Sequence, residues 1–302
     1  MLEGQTTIHV VHGPTASGKT SLAIDLALCL NTEVISFDSR QFYKELNIGV
    51  ARPTILQLNS VKHHFIATNS IKTPLNAFEF ATLAKPLMDN LIEKNGAVVL
   101  VGGSALFADA LLLGLDSLPH NKSVQAKWNT YFENHGLRAL QEQLKSIDPK
   151  YYEQIDQMNP MRLIRALEIG ELTGKSNLEL RTGERKDPPY IKRYFIDWPR
   201  AELYQRINER VDTMIAEGLE NEAKKFYPNK LDYKSLKTVG YQEFFSLFSK
   251  QWTREQAIDK IKQHSRNYAK RQLTWLGKYA DIQSLNPNGA QSLVVQALNL
   301  KG

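Results

Sequence analysis

Eight residues constrain this chain more than any others. Gly13-Pro14-Thr15-Ala16-Ser17-Gly18-Lys19-Thr20 fits G-x-x-x-x-G-K-[ST] at every position, directly after the run Ile8-His9-Val10-Val11 and directly before a helical stretch, Ser21 to Leu30. A strand, a glycine-rich loop and a helix in that order make the phosphate-binding unit of a parallel α/β sheet. The glycines let backbone N–H groups turn inward around phosphate oxygens, and the helix N-terminus adds positive potential. Lys19 supplies a point charge for a terminal phosphate, and the Thr20 hydroxyl is a natural ligand for Mg²⁺, the metal expected here. The pattern specifies a di- or triphosphate and is silent on which.

Further runs extend the sheet. Glu33-Val34-Ile35-Ser36-Phe37, Ala97-Val98-Val99-Leu100-Val101 and Lys192 to Trp198 are rich in β-branched and apolar residues, and the first two end against Asp or Gly. They read as buried parallel strands joined by helical crossovers. From Pro119 to Tyr190 the pattern is helical, with Asn159-Pro160 as cap and first helical residue and Gly174 as the stop. The polar stretch 181–189 ends in two prolines and reads as a loop or hinge. After Pro199 the pattern is helical nearly to the end. The expected fold is α/β, a P-loop NTPase-like parallel sheet core over 1–118 and 191–302, with a helical C-terminal part and a helical insertion domain at 119–190.

A chain of 302 residues, 42% hydrophobic and 23% charged, can bury a core without staples, which excludes a disordered or miniature scaffold. Its net charge of +6 permits a polyanionic partner without demanding one. The single cysteine, Cys29, excludes an intramolecular disulfide and a multi-cysteine zinc site, and its helical setting reads as a small buried hydrophobe. The N-terminal residues lack a signal peptide's basic and apolar regions, and no window approaches a membrane span. A cytoplasmic protein without membrane contact is expected.

The second strand ends in Phe37-Asp38-Ser39-Arg40-Gln41. A carboxylate at a strand's C-terminal end beside the phosphate loop lies where α/β sheets do chemistry. Asp38 could hold Mg²⁺, as in a nucleotide kinase, or take a proton from a base being modified; a plain reading makes it the N-cap of a following helix. Over 254–278 seven basic residues stand against two acidic ones. Lys262, Arg266, Lys270 and Lys278, at multiples of four, read as one basic stripe facing a phosphate backbone rather than an ordinary solvated face. His63-His64 is too short for a metal site, and Tyr151 and Tyr152 read as core.

Taken with Tyr43, Val101-Gly102-Gly103-Ser104, Asn159-Pro160-Met161-Arg162-Leu163-Ile164-Arg165-Ala166-Leu167-Glu168, Gly240-Tyr241 and Tyr268-Ala269-Lys270-Arg271-Gln272-Leu273-Thr274-Trp275, these motifs stand in an order that resembles the tRNA dimethylallyltransferases, the IPP transferase family. The resemblance runs from Ile8 to about Lys278. It implies transfer of a dimethylallyl group from dimethylallyl diphosphate to N6 of the adenine 3′ of the anticodon, position 37, with Mg²⁺ and with the phosphate loop, Gly13 to Thr20, holding the diphosphate. It implies Asp38 as general base, Lys19, Thr20 and Arg210 at the diphosphate, and tRNA contacts from Asp38, Ser39, Arg40, Gln41, Ser104, Met161, Arg162, Leu163, Ile164 and Arg165. Gln125 stands where an arginine touching tRNA is typical, and Lys270 and Arg271 extend that set.

The chain departs from the family at Arg52 in Gly49-Val50-Ala51-Arg52-Pro53, at Ala67 after the histidine pair, at Gln125 and at Met161. The chemistry is coherent on its own terms: a delocalised N6 needs a proton acceptor, and diphosphate leaves only if its charge is neutralised. The target base must also leave its stack to reach that centre. A monomer gripping the anticodon stem-loop through its insertion is expected. The rivals are an adenylate (AMP, ADP or ATP) isopentenyltransferase, which needs neither insertion nor basic stripe, a P-loop nucleotide kinase, and a non-catalytic RNA-binding module.

Overall fold

The structure is a computed structural model that describes residues 6–116, 118–181, 187–289 and 291–298. Residues 182–186 of the loop expected at 181–189 lie outside them. Two compact units emerge, one of Met1–Gly114 with Asp187–Gly302 and one of Leu115–Lys186. The divisions precede the expected boundaries at 118 and 190 for local reasons. In the smaller unit the carbonyls of Leu118 and Pro119 accept from Arg165, at 3.2 and 2.8 Å. In the larger unit Arg193 holds Asp187 at 2.5 Å.

The larger unit begins with β1 (Thr7–His12), α1 (Lys19–Cys29), β2 (Val34–Ser36), α2 (Ile55–Ser60), β3 (His63–His64), α3 (Ala77–Asn95), β4 (Ala97–Gly102) and α4 (Ala105–Leu113). The smaller holds α5 (Lys122–Ile147), α6 (Pro149–Tyr152) and α7 (Pro160–Thr173). The chain then returns with β5 (Ile191–Ile196), α8 (Arg200–Ala216), α9 (Leu219–Phe226), α10 (Tyr241–Phe248), α11 (Arg254–Leu276), β6 (Gln283–Leu285) and α12 (Leu293–Leu298).

The sheet has the order β3-β2-β4-β1-β5-β6 with every pair parallel. Its central strands β1 and β4 are covered on both faces, which is why they read as unbroken apolar runs. The edge strands β3 and β6 were not expected. With two and three residues, neither is long enough for a periodic signal. β6 also interrupts a stretch expected to be helical nearly to the end.

Cys29 is exposed rather than buried. The buried arc of α1 is Leu22, Ala23, Ile24, Leu26 and Ala27, and 100° per residue turns position 29 out with Asp25 and Leu28. No helix follows Asp38, so the N-cap reading fails; residues 39–42 form turns instead. In the smaller unit Asn159 caps α7 through Arg162 N–H, Pro160 is its first residue, and Gly174 ends it at φ 65°. Trp128, Leu140, Leu144, Tyr151 and Leu167 form that unit's core. Among the described residues no helix is long and apolar enough to cross a membrane.

Candidate active site

Four parallel strands of the larger unit deliver the site from their C-terminal ends, where α/β sheets bind ligands. β1 runs into Gly13, β2 into Asp38, β4 into Gly103-Ser104, and β5 toward Trp198. The phosphate loop is pinned at several points. Ser17 Oγ donates to Pro14 O at 2.9 Å and Lys19 Nζ to the same carbonyl at 3.2 Å. Trp198 Nε1 donates to Ser17 O at 2.8 Å, and Arg206 Nε to Ala16 O at 2.9 Å, its guanidinium stacked 4.3 Å from the Trp198 ring. Gly18, at φ 92°, makes the left-handed turn that starts α1.

Two adjoining cavities meet at Ala51, Arg210 and Met214, which line both. One, of about 270 Å³, has Asp38, Arg40, Tyr268 and Arg271 among its polar lining. Ile207, Val211, Leu219, Val239 and Ile261 make up much of its apolar wall. The other opens over the phosphate loop, with Lys19, Thr20, Arg52 and Arg206 around it.

Asp38 stands at the electrostatic centre, and its charge acts on Lys19, Arg210 and Tyr268. Burial lowers the Lys19 ammonium to about 8; Asp38 works against that fall and Arg210 adds to it. Burial also lowers Arg210, while Asp38 and Glu217 hold its charge. Tyr268 is pushed up to about 12, by burial first and then by Asp38, so its hydroxyl stays protonated. Asp38 Oδ1 accepts from Arg40 N–H at 3.1 Å. Beside it, Ser39 N–H and Oγ both reach Ser104 Oγ, at 3.1 and 2.9 Å.

The structure thus brings Thr15, Ala16, Gly18, Lys19, Thr20, Asp38, Arg40, Arg210 and Arg271 to the cavity walls. Gly13, Pro14 and Ser17 are buried beneath them as the body of the loop. Gln41, expected at tRNA, is buried, and its amide donates to Val50 O and Ala51 O at 3.3 and 2.9 Å. In the smaller unit Met161 and Arg162 are exposed and Gln125 is half-buried. Leu163 and Ile164 correct the expectation of side-chain contact with tRNA. Both are fully buried, because the periodicity of α7 turns them into that unit's core. Arg165 is engaged internally, by the buried Glu168 at 2.7 Å and by two carbonyls.

The basic stripe is also corrected. Lys262 pairs with Asp212 at 2.6 Å and Arg266 donates to Asn208 at 2.6 Å, so both face α8; Lys270 and Arg271 are exposed. Lys278 lies over the Trp275 ring at 4.4 Å.

For Mg²⁺ the donor set is oxygen-based and sparse. Thr20 lines the phosphate cavity, and among the described residues no three His, Cys, Asp or Glu side chains cluster as a metal site. The Thr20 hydroxyl is an oxygen donor of the kind that Mg²⁺ takes alongside phosphate.

Arg206, Trp198 and Glu222 belong to the site's framework and were not singled out from sequence, and Tyr268, which opens the motif at 268–275, had no role assigned to it. Arg206 was legible, because it precedes Arg210 by one helical turn and so shares its face.

Fold and site together define a phosphate-loop α/β protein with an apolar chamber beside its phosphate cavity. The sequence profile of the family described as IPP transferase matches residues 41–279. The chain is 41% identical over 280 residues to a tRNA dimethylallyltransferase of Cytophaga hutchinsonii, covering 92% of each, and 43% identical over 273 residues to one of Flavobacterium johnsoniae, covering 87% of each. Among solved structures it resembles the tRNA isopentenylpyrophosphate transferase of Bacillus halodurans, with TM-score 0.69 and 35% identity over 93% of this chain and 90% of that one. A eukaryotic dimethylallyltransferase acting on tRNA shares the fold, with TM-score 0.77 at 24% identity over 94% of this chain and 74% of that one. This chain belongs to the IPP transferase family.

Proposed function

We propose that the protein transfers a dimethylallyl group from dimethylallyl diphosphate to N6 of the adenine 3′ of a tRNA anticodon, releasing diphosphate. The observation that carries this reading is the joining of a phosphate cavity to an apolar chamber at Arg210 and Ala51, with Asp38 beside the junction. The diphosphate lies over the loop at Lys19 and Thr20, and the five-carbon tail enters the chamber past Arg210. The N6 lone pair attacks the allylic carbon bonded to oxygen. That C–O bond breaks with its electron pair going to diphosphate, and the N6 proton passes to the Asp38 carboxylate. Lys19, Arg206 and Arg210 neutralise the charge that develops on the leaving group. The Thr20 hydroxyl would hold Mg²⁺ together with the diphosphate, and the bound cation would supply further neutralisation there.

The nucleotide-kinase reading rests on the phosphate loop alone and leaves the apolar chamber unused. Incubation with labelled dimethylallyl diphosphate, Mg²⁺ and bulk tRNA, then digestion, tests the proposal. Label in N6-dimethylallyladenosine is the expected result; ATP turnover with unlabelled tRNA overturns it, and label on free AMP, ADP or ATP instead of tRNA marks an adenylate isopentenyltransferase.

A further inference from the structure

Residues 47–52 wall both cavities: Asn47, Ile48 and Arg52 line the phosphate side, Gly49 and Val50 the apolar side, and Ala51 both. A loop in this place has to be held, because it carries strain. Ala51 has φ 49°, a left-handed conformation that a non-glycine residue keeps only where its surroundings over-determine it.

Arg52 ties the end of the loop to the carbonyls of Tyr43, Lys44 and Leu46, and a single carboxylate holds its start. Glu222, on α9, accepts from three consecutive backbone amides, Asn47 at 3.3 Å, Ile48 at 3.0 Å and Gly49 at 3.1 Å. Its Oε1 also accepts from the buried Tyr241 hydroxyl at 2.5 Å. Successive amides turned onto one anion form a nest, and the charged acceptor strengthens each bond. Tyr241 closes the same joint sterically: a Cβ at Gly49 would lie 2.5 Å from its ring. Tyr241 remains a donor, because burial and the neighbouring carboxylate push its hydroxyl far up.

On the other side the loop is read by the site. Ala51 O accepts from Gln41 Nε2 at 2.9 Å and from Arg210 at 3.3 Å. The carbonyl that orients the Arg210 guanidinium therefore lies two residues beyond the last amide that Glu222 holds.

We infer that Glu222 is a positioning residue of the donor site: by clamping the amides of 47–49 it fixes the Ala51 carbonyl, and through it the aim of Arg210 at the diphosphate. Glu222 does not line either cavity and acts only through the loop. The inference rests on the reading of the phosphate cavity as a diphosphate site, and a binding measurement keeps the two separable.

The probe is inorganic diphosphate with Mg²⁺, titrated calorimetrically into the full chain and into Glu222→Gln, Arg210→Ala and the double variant. Glu222→Gln keeps the volume and one acceptor oxygen, but removes the charge and sets an amide donor against the Ile48 N–H. Arg210→Ala is expected to weaken diphosphate about tenfold or more, as loss of a charge-assisted bond does. Glu222→Gln is expected to weaken it several-fold, and the double variant no more than Arg210→Ala alone. Coupling of that kind follows only if Glu222 works through Arg210.

Fully additive losses, or unchanged affinity in Glu222→Gln, overturn the inference. Wild-type protein that ignores diphosphate overturns the donor-site reading, and the inference with it. Tyr241→Phe, which removes one donor from the carboxylate and leaves the ring against Gly49, provides a milder second variant if Glu222→Gln does not fold. It should show the same coupling at smaller size, and additivity there overturns the inference equally.

Discussion

A lysine ammonium withdrawn from water gives up its proton more easily, and Lys19 shows this at the centre of the site. With its pKa lowered to about 8, it is charged below that pH and increasingly neutral above it. Asp38 opposes the fall and Arg210 deepens it. Arg210→Ala should therefore move the Lys19 midpoint up, and Asp38→Asn should move it down. An NMR titration of ¹³C-dimethylated lysines, with Lys19→Arg to assign the signal, checks both signs; no lysine titrating near pH 8 would contradict the account. A bound diphosphate favours the charged form, so the group is recharged when its ligand arrives. Asp38 carries the second prediction at this scale. As proton acceptor it should lose about 10²–10⁴-fold in single-turnover transfer on replacement by Asn, with donor and tRNA affinity nearly unchanged. As a Mg²⁺ ligand it would instead show a rate that recovers as Mg²⁺ is raised.

Helices obey a period that sequence counting can misread, and α11 is the instructive case. Steps of four residues advance about 40° beyond a full turn, so Lys262, Arg266 and Lys270 spread around the helix rather than forming one row, and Lys278 lies past its end at Leu276. The first two turn toward α8 and meet Asp212 and Asn208, while Lys270 and Arg271 remain exposed. The salt dependence of tRNA binding should follow that division. Lys270→Ala and Arg271→Ala should each lower the slope by roughly one unit, and Lys262→Ala should leave it nearly unchanged. Equal effects at all three positions would mean that Lys262 exchanges Asp212 for phosphate on binding. On α8 the spacing works in the other direction. Arg206 and Arg210, one turn apart, present adjacent guanidiniums, one to Ala16 O and one to Ala51 O.

At the scale of the whole molecule, the division into two units makes a functional separation testable. The phosphate loop, both cavities and Glu222 all belong to the larger unit. Replacing 115–186 by a short Gly/Ser linker between 114 and 187 should preserve binding of dimethylallyl diphosphate and abolish binding of tRNA. Unchanged tRNA affinity, measured by filter binding on a variant that still binds the donor, would remove the grip from the insertion. What the sequence determined alone was whatever short-range physics decides. The order strand, loop, helix from Thr7 to Cys29 follows from a β-branched run and glycines at fixed offsets, and α7 from Asn159, Pro160 and Gly174 at its ends. What it left open depended on residues far apart in the chain. Two- and three-residue edge strands exist only because β2 and β5 offer them a ladder. Leu163 and Ile164 lie in the motif that resembles a tRNA contact, yet packing against α5 puts their side chains inside. Glu222 carries no motif of its own, because its role depends on amides about 175 positions away coming within 3.3 Å. Local propensity acts over a turn or two of chain, whereas a site is a balance of burial and charge among side chains that only the closed sheet and its packed helices bring into one place.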